Sequence, residues 1–311
     1  MTRAVIATAY GGPEVLELIN DDPGLPGPGR VLLRVRAAGV NPADWKRYKG
    51  TFGTDPADLP LRLGYEAAGV VRAVGEGVTG VAVGDEVIAY PIRGAYADRV
   101  IVPESSLLPK PAAMSWEKAA GLMVAGVTAA HALQVIKIGA GDTLLLHGAS
   151  GGVGGMAVQL ARAKGARVIV TASPHNHEYL VDLGATPLAY GPDLADRVTH
   201  ASQGPIDAAI DTAGTLEALQ ASVALVPDRR RVATIAGFDH GARLGVQLLG
   251  AGEGADPGTE IRRAARARLL QLWEAGRLDV RVGATYQLED VRKAHEAGIA
   301  RRVTGKIILV P

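Results

Sequence analysis

The sequence contains no cysteine among its 311 residues, and aromatic side chains make up only 4% of it. The absence of cysteine excludes disulfides and every metal site built on thiolates. No stretch approaches the roughly 20 consecutive apolar residues that a membrane-spanning helix needs. The N-terminal segment MTRAVIATAY lacks the basic and apolar regions of a secretory signal peptide. These absences lead us to expect a cytoplasmic protein.

An excess of one charge is also missing, because 33 basic residues balance 32 acidic ones and leave a formal net charge of +1. Nucleic-acid binding is not expected, since it usually requires a strongly basic surface. The arginine-rich stretch RRAARAR at 262–268 reads instead as the solvated face of a helix. Hydrophobic residues make up 48% of the chain, which is enough to bury substantial cores, and the length suggests two domains.

Two sequence patterns divide the chain. In the first, short β-branched runs at 30–40, 67–75, 85–90 and 96–102 alternate with glycine and proline clusters, which is typical of a compact β-rich domain. From residue 115 onward, helical and strand segments alternate, which predicts a mostly parallel sheet with helices on both faces. Shorter units return near the C-terminus. We therefore expect an α/β fold in which a doubly wound parallel sheet is inserted into a β-rich domain.

Glycine is concentrated in the segment LLLHGASGGVGG at 144–155. The segment links a buried strand to a helix, and the N–H groups at the start of a helix suit a pyrophosphate. Its spacing, G-x-x-G-x-x-G, departs from the usual G-x-G-x-x-G, so it is either a tight turn of an α/β sheet or a dinucleotide loop. The strand–helix setting favours the loop. The predicted cofactor-binding residues are Gly148, Ala149, Ser150, Gly151, Gly152, Val153 and Gly154.

The end of the next strand bears on the choice between NAD and NADP. An NAD site usually has a carboxylate there for the ribose hydroxyls, but the segment VIVTASPHNH at 168–177 has none. Ser173 can donate a hydrogen bond to a 2′-phosphate, and His175 or His177 adds charge if it is protonated. Both histidines fit a solvated loop equally well. NADP is favoured, although no Lys or Arg lies close by in the sequence.

Blocks in order along nearly the whole chain resemble the zinc-free quinone oxidoreductases, the ζ-crystallin-like group of the medium-chain dehydrogenase/reductase superfamily. These blocks are AAGVNPADWKRYKG (37–50), LGYEAAGVVRAVGEGV (63–78), VGDEVIA (83–89), GAYADRVIVP (94–103), LLHGASGGVG (145–154) and, within 286–310, YQLEDVRKAHE and TGKIILV. The resemblance implies a GroES-like substrate domain over 1–124 and 263–311, and a Rossmann domain over 125–262. It also implies NADPH as the cofactor and a homodimer.

In zinc-dependent relatives the catalytic metal is held at positions that align with Asn41, Tyr65 and the vicinity of Val124. These residues do not form the nitrogen and sulfur site that zinc prefers, so no metal is expected. The resemblance therefore implies hydride transfer without a Lewis acid, for which quinones and other conjugated carbonyls are suitable acceptors. A 2-alkenal or enone double-bond reductase remains an alternative. So does a non-catalytic NADPH-binding protein, acting as a sensor or a crystallin-like protein.

Candidate catalytic residues follow from matched positions. Asn41 is either a hydrogen-bond donor to the substrate or a structural turn before Pro42. Tyr65 is either a donor to a developing enolate or quinol oxygen, or a residue that only lines the pocket. Tyr48 lies near the positions where several relatives carry tyrosines, and Thr128 matches a helix threonine at the nicotinamide end. The resemblance thus offers these four residues for the reaction.

Further residues match cofactor contacts of the family. Tyr190 is expected at the cofactor together with Ser173 and His177, and Gly237 in the segment TIAG would allow close approach to the nicotinamide. Lys306 either reaches the cofactor phosphates or caps an exposed strand. The loop at 239–258 is short and glycine-rich compared with the family pattern. Because this loop is expected to face the substrate, the identity of the acceptor is left open.

Overall fold

The computed structural model describes residues 2–311. Its strands are β1 (Arg3–Ala7), β2 (Leu16–Asn20), β3 (Arg30–Val40), β4 (Leu61–Arg62), β5 (Ala67–Val74), β6 (Glu86–Ala89), β7 (Arg99–Pro103), β8 (Leu107–Pro109), β9 (Thr143–His147), β10 (Arg167–Thr171), β11 (Thr186–Leu188), β12 (Ala208–Asp211), β13 (Val232–Thr234), β14 (Gln247–Leu248), β15 (Val282–Gln287) and β16 (Lys306–Val310). Its helices are α1 (Pro42–Tyr48), α2 (Trp116–Val135), α3 (Gly152–Ala163), α4 (His177–Asp182), α5 (Leu194–Ser202), α6 (Leu216–Leu225), α7 (Phe238–Leu244), α8 (Thr259–Glu274) and α9 (Val291–Ile299). No helix in this range is both long enough and apolar enough to span a bilayer.

The chain divides into two units, Met1–Val124 with Val280–Pro311, and Ala125–Asp279. The first division falls inside α2, between 124 and 125. The second lies between 279 and 280, whereas the sequence suggested 262/263, a position inside α8. This helix belongs to the second unit because it buries leucines there: a Cβ built on Gly126 of α2 would lie 2.7 Å from Leu269 Cδ1. The second unit therefore keeps α8 together with its packing partner.

The first unit is built from two sheets. The larger has the order β15-β16-β3-β5-β6-β8, with β7 also paired to β3, and the smaller has the order β2-β1-β4. Strand β3 lies at the centre because its residues are mostly buried, and it pairs antiparallel with β5, β7 and β16. Valines and leucines of β3 join the hydrophobic core of this unit. The predicted β-rich, GroES-like domain is confirmed.

The second unit contains a parallel sheet of order β11-β10-β9-β12-β13-β14, with helices between successive strands. Strand β9 is buried along its whole length, as its continuous apolar run predicts for a central parallel strand. The chain runs outward from β9 through β10 and β11, then returns to the other side of β9 as β12. The order therefore reverses between β9 and β12, which is where doubly wound sheets bind ligands, at the carboxyl ends of the strands. The doubly wound fold is confirmed.

Candidate cofactor and substrate sites

The glycine-rich segment forms the turn from β9 into α3, at the point where the strand order reverses. Gly148 has a φ of +74°, and a Cβ there would lie 2.6 Å from Thr212 Oγ1. A Cβ on Gly154 would lie 2.5 Å from the carbonyl oxygen of Gly148, so the first turn of α3 packs directly on the end of the strand. The turn also contains Ala149, which is buried, and Ser150, which is half-buried. Glycine at 148 and at 154 is thus required by the fold itself.

Gly151 has no such internal reason. Its φ of −76° and ψ of 171° suit any residue, and a Cβ there would meet only the carbonyl oxygen of Gly148, at 3.6 Å. As N-cap of α3 it offers no side-chain acceptor, and the first turn has no acidic residue. The N–H groups of Gly152, Val153 and Gly154 therefore have no partner within the helix. Open space beside unpaired donors fits a bound anion such as a pyrophosphate.

A buried carboxylate organises the two neighbouring loops. Asp211 ends β12, and its Oδ1 accepts from the N–H groups of Ala213 at 2.9 Å and Gly214 at 2.8 Å. Its Oδ2 accepts from the Thr234 hydroxyl at 2.7 Å, and Thr234 Oγ1 accepts in turn from the N–H of Gly237 at 2.9 Å. A Cβ on Gly237 would lie 3.2 Å from Gly214 Cα. Gly237 therefore lies at the carboxyl edge of the sheet, where packing between these loops already demands a small residue.

His147, the last residue of β9, is fully enclosed beneath the glycine loop. Its Nδ1 lies 2.9 Å from Thr171 Oγ1, while its Nε2 has no hydrogen-bond partner in the range 2–311. Burial lowers the pKa of His147 to about 4. The ring is therefore neutral near pH 7, so it adds no charge to the site.

The predicted adenosine-end residues meet beyond β10 and β11. Ser173 Oγ lies 3.1 Å from the hydroxyl of Tyr190, and the Tyr190 ring is 61% exposed. His177 Nε2 lies 3.2 Å from the carbonyl oxygen of Ala172, which places its ring beside the same strand end. The structure therefore brings Ser173, His177 and Tyr190 to one edge of the sheet, and Tyr190 presents its ring to solvent.

Arg197 was not predicted to lie near this edge, because it is well beyond Ser173 in the sequence. Helix α5 returns it to the loop that carries Tyr190: Nη1 donates to the Ala189 carbonyl at 2.7 Å and Nη2 to the Gly191 carbonyl at 3.2 Å. Carbonyl oxygens hold the guanidinium without neutralising its charge. A positive charge therefore stands beside the residues expected to meet a 2′-phosphate.

In the first unit, a buried carboxylate connects segments that are far apart in sequence. Glu66 has no exposed surface, and its Oε1 accepts from Lys306 Nζ at 2.9 Å and from Asn41 Nδ2 at 3.0 Å. Its Oε2 accepts from the backbone N–H of Val124 at 2.8 Å. Lys306 Nζ also donates to Asn41 Oδ1 and to the carbonyl oxygen of Val40. Two of the positions aligned with a zinc site in other relatives, Asn41 and Val124, are thus joined here by hydrogen bonds to Glu66.

This network corrects two sequence-based expectations. The two amide protons of Asn41 are used by Glu66 and by the carbonyl of Gly39, at 3.2 Å, so none remains for a substrate. Lys306 spends all three ammonium protons inside the unit and is 4% exposed, so it is not free to reach a phosphate. It does not cap an exposed strand either, because β16 lies between β15 and β3. Both residues are structural.

Tyr65 adjoins this network and stays half-buried. Its carbonyl accepts from the Ile92 N–H at 3.1 Å, which fixes the backbone. Burial, followed by the nearby charge of Asp44, raises the pKa of the phenol above its ordinary value, so it is neutral near pH 7. Asp44 accepts from the N–H groups of Asn41 at 2.8 Å and Gly64 at 2.9 Å, and burial raises its pKa to about 6. Asp44 thus orders this loop, and the Tyr65 phenol keeps a proton that it can donate.

The structure does not support a catalytic role for Tyr48. The side chain has no exposed surface and belongs to the hydrophobic core of the first unit. Its hydroxyl lies 3.0 Å from His295 Nδ1, and the two rings stack with centroids 5.6 Å apart. Burial lowers the pKa of His295 to about 3, so the imidazole is neutral. Position in the sequence suggested the pocket, but an aromatic side chain this size is drawn into the core.

Thr128, the remaining catalytic candidate, lies in the second unit on α2 and is 8% exposed. Its hydroxyl oxygen accepts from Arg262 Nη1 at 3.2 Å.

As for metals, no group of three or more His, Cys, Asp or Glu side chains in the described part of the chain is placed to hold an ion.

Similarity to known proteins shows the family to which the chain belongs. A family model described as an alcohol dehydrogenase GroES-like domain matches residues 27–112, and one described as a zinc-binding dehydrogenase matches 183–309. The quinone oxidoreductase of Pseudomonas aeruginosa is 33% identical over 330 residues, which cover 100% of both chains. The chain belongs to the quinone oxidoreductase family. It is therefore an oxidoreductase of the medium-chain dehydrogenase/reductase superfamily, as the sequence blocks predicted.

Other known proteins resemble the chain to a similar degree. The human synaptic vesicle membrane protein VAT-1 homolog is 31% identical over 342 residues, covering 100% of this chain and 87% of the relative. The solved quinone oxidoreductase of Pseudomonas syringae has a TM-score of 0.87, 32% identity and full coverage of both chains. A mycobacterial protein solved with NADPH has a TM-score of 0.87 and 29% identity over both full chains. A solved NAD-dependent alcohol dehydrogenase has 30% identity, a TM-score of 0.87 and 99% coverage of both chains.

Proposed function

We propose that this quinone oxidoreductase family member is a zinc-independent, NADPH-dependent reductase of quinones or similar conjugated carbonyls. The observation that carries the proposal is the turn after β9, which leaves open space at Gly151 beside the unpaired N–H groups of α3. When bound, NADPH supplies a hydride. A conjugated acceptor spreads the incoming charge, so the absence of zinc-type ligands at Asn41 and Tyr65 is compatible with the reaction.

Cofactor binding is proposed to involve three parts of the second unit. The turn at 148–154 would hold the pyrophosphate through backbone N–H groups. Ser173 and Tyr190, with the charge of Arg197 nearby, would bind the 2′-phosphate, since phosphate oxygens favour charge-assisted donors. This arrangement supports NADP over NAD. Because similar structures include one solved with NADPH and an NAD-dependent alcohol dehydrogenase, the assay compares NADPH with NADH.

Tyr65 is the proposed hydrogen-bond donor to the substrate. Of the candidates in the first unit, Asn41 has spent its donors and Tyr48 lies in the core. Tyr65 is half-buried and keeps its proton near pH 7, because burial raises its pKa. A neutral phenol can donate to the oxygen that gains negative charge as a carbonyl is reduced. The chain would otherwise align the reactants and exclude water.

The assay that tests this function follows the oxidation of NADPH and, separately, NADH with 1,4-naphthoquinone or with 2-hexenal. We expect turnover with the quinone and a preference for NADPH. Turnover of the alkenal alone would identify a double-bond reductase instead. Tight NADPH binding without turnover of any acceptor would identify a binding protein.

The Gly151→Val substitution tests the pyrophosphate assignment. Valine fits the backbone at 151, so the fold should be kept, but its side chain would fill the space where the ligand binds. Losing charge-assisted hydrogen bonds to backbone donors should weaken NADPH binding at least about 100-fold. Fluorescence titration measures the affinity. Gly27→Val is the control, because a Cβ at 27 meets nothing within 4 Å. Normal affinity in Gly151→Val would refute the assignment.

Two further expectations of the family resemblance belong to the same proposal. One is a homodimer, which light scattering after size-exclusion chromatography would detect as twice the 32.2 kDa mass of the chain. The other is a cytoplasmic location, which fractionation of the source cells would test. Neither is needed for the proposed chemistry within one chain.

A further inference from the structure

Side chains of the second unit form a continuous chain of contacts behind Thr128. His131 has no exposed surface, and its Nε2 lies 3.1 Å from Asp256 Oδ2. Arg262 Nε donates to His131 Nδ1 at 3.4 Å, and Arg262 Nη1 donates to Thr128 Oγ1 at 3.2 Å. Thr128 and His131 belong to α2, Arg262 to α8, and Asp256 to the loop that precedes α8. The loop, the two helices and the hydroxyl are thus connected in one series.

Only one arrangement of protons satisfies this series. Burial lowers the pKa of His131, so the imidazole is neutral near pH 7 and carries a single proton. The Asp256 carboxylate can only accept a hydrogen bond, and the Nε–H of Arg262 can only donate one. The imidazole proton must therefore be on Nε2, facing Asp256, and Nδ1 must accept from Arg262. His131 thereby fixes the orientation of the guanidinium.

The glycine-rich loop before α8 is shaped for these contacts. Gly258 has a φ of +58°, and a Cβ there would lie 2.3 Å from the ring of His131. The N–H of Gly258 also donates to Asp256 Oδ1 at 2.8 Å. Any larger residue at 258 would displace the imidazole. The glycine content of the 239–258 loop, which distinguishes this chain in the sequence, is partly explained by its close approach to His131.

Donors at the open end of the series have no acceptor in the protein. Arginine has five N–H groups, and Arg262 uses two of them, on His131 and Thr128. The remaining three N–H groups meet no acceptor among residues 2–311. The Thr128 hydroxyl accepts from Arg262 and donates to no group in the same range, although it is 8% exposed. A nearly buried hydroxyl and an oriented guanidinium therefore share an unused capacity to donate to an oxygen.

We propose that Arg262 and Thr128 bind one carbonyl oxygen of a ligand, which makes Arg262 a ligand-binding residue of this enzyme. The inference rests on the proposed function, and on the family resemblance that matches Thr128 to a threonine at the nicotinamide end of the cofactor. Two ligands of that reaction carry a carbonyl oxygen, the nicotinamide carboxamide and the quinone. A guanidinium donor binds such an oxygen more strongly than a neutral donor does. The imidazole of His131 keeps the Asp256 carboxylate from competing for the same donors.

The test compares Arg262→Met with Arg263→Met, its neighbour on α8. The side chain of Arg263 is 68% exposed and pairs with Glu260, so its loss should change neither the NADPH affinity nor the quinone affinity. NADPH affinity is measured by fluorescence titration, and 1,4-naphthoquinone affinity by calorimetry with NADP⁺ present. We expect Arg262→Met to weaken one of these affinities about tenfold or more. A loss in NADPH affinity assigns the oxygen to the carboxamide, and a loss in quinone affinity assigns it to the substrate.

Equal affinities in wild-type protein and Arg262→Met, within twofold for both ligands, would overturn the proposal. Arg262→Gln, which keeps a neutral donor, is the second variant in case methionine disturbs α8, and we expect it to retain part of the affinity. Circular dichroism verifies the fold of each variant. Both measurements are binding constants, so they remain decisive if the wild type turns over no quinone. In that case the absence of turnover refutes the proposed function, while the NADPH affinity still tests Arg262.

Discussion

Among single residues, Glu66 connects the most distant parts of the first unit. It accepts hydrogen bonds from Asn41, from the backbone of Val124 and from Lys306 of the last strand. The ion pair is almost fully buried, with side-chain exposures of 4% for Lys306 and 0% for Glu66. An ion taken out of water at this depth is stable only when its partners remain in place. Each of the two charges is therefore expected to be stable in the folded protein only while the other is present.

Lys306→Met should lower the free energy of unfolding of the first unit by about 3–5 kcal/mol, because it leaves the Glu66 carboxylate buried and uncompensated. The double variant Lys306→Met/Glu66→Gln replaces both charges by neutral groups of similar size, so it should lose markedly less. Urea denaturation of the wild type, both single variants and the double variant gives the coupling. Equal losses in the double variant and in Lys306→Met would show that the charges do not interact.

Matched positions placed Asn41, Tyr48 and Lys306 near a site, but the sequence could not give their contacts. Lys306 meets Glu66 across 240 positions and Asn41 across 265. Tyr48 meets His295 across 247 positions. Such partners are set by the pairing of β16 with β3 and by the packing of α9 on α1, for which no local pattern exists. Matched positions therefore indicated the part of the fold in which to look for these residues, but they left the role of each side chain undecided.

At the level of elements, the junction of β9 and α3 relies on glycines of different kinds. Gly154 is needed by the packing of α3 on the strand end, whereas Gly151 faces open space. The sequence alone treats the two alike, because both occupy a glycine position of one motif. Their substitution should therefore separate stability from ligand binding.

Gly154→Ala should destabilise the second unit by about 1–3 kcal/mol, because its methyl group would overlap the backbone of Gly148 and Ala149. Gly151→Ala should change stability by less than about 1 kcal/mol, since its backbone angles are ordinary. Thermal unfolding without cofactor measures both. If the two variants have the same melting temperature, packing of α3 on the strand does not depend on Gly154.

The elements predicted well are those with long patterns. Strand β3 begins and ends at residues 30 and 40, as expected, and β9 at 143–147 is the buried strand expected before the glycine-rich turn. Short elements such as β4 and β14, of two residues each, were missed because their existence depends on a neighbouring strand and not on periodicity. The segment RRVATIAG at 230–237 has the composition of a strand, but the strand covers only Val232–Thr234, because Gly237 and its neighbours turn back towards Asp211. Helix α5, which brings Arg197 to the adenosine end, was also missed.

In the molecule as a whole, each unit encloses a neutral histidine. His147 in the second unit has a pKa of about 4 and His295 in the first a pKa of about 3, both below the ordinary 6.5 because of burial. Below pH 6.5 the unfolded chain therefore takes up protons that the folded chain does not. The contribution of these two histidines to the free energy of unfolding is therefore complete above pH 6.5 and is lost as the pH falls towards their folded-state pKa values. Asp44 has the opposite effect on stability. Because its pKa is raised from 3.8 to about 6, the folded chain binds this proton more tightly, and its stabilising contribution grows as the pH falls through that range.

His295→Asn should make the first unit less sensitive to acid. Removing one buried neutral histidine should reduce the pH dependence of the unfolding free energy by about 1.4 kcal/mol per pH unit between pH 6 and 4.5. Urea denaturation at several pH values measures the slope. His200→Asn, at an exposed position, is the control and should leave the slope unchanged. An unaltered slope in His295→Asn would mean that His295 is protonated in the folded protein.

The pairing of β16 with β3 also has a consequence for biosynthesis. Residues 280–311 leave the ribosome after all of 125–279, so the second unit can fold while the first still lacks its last strands. Until then residues 38–40 of β3 lack their partner strand and Glu66 has no ammonium partner. The nascent first unit is therefore the part that chaperones and proteases meet unfinished. Premature termination after residue 279 would leave a complete second unit attached to a first unit without its last strands.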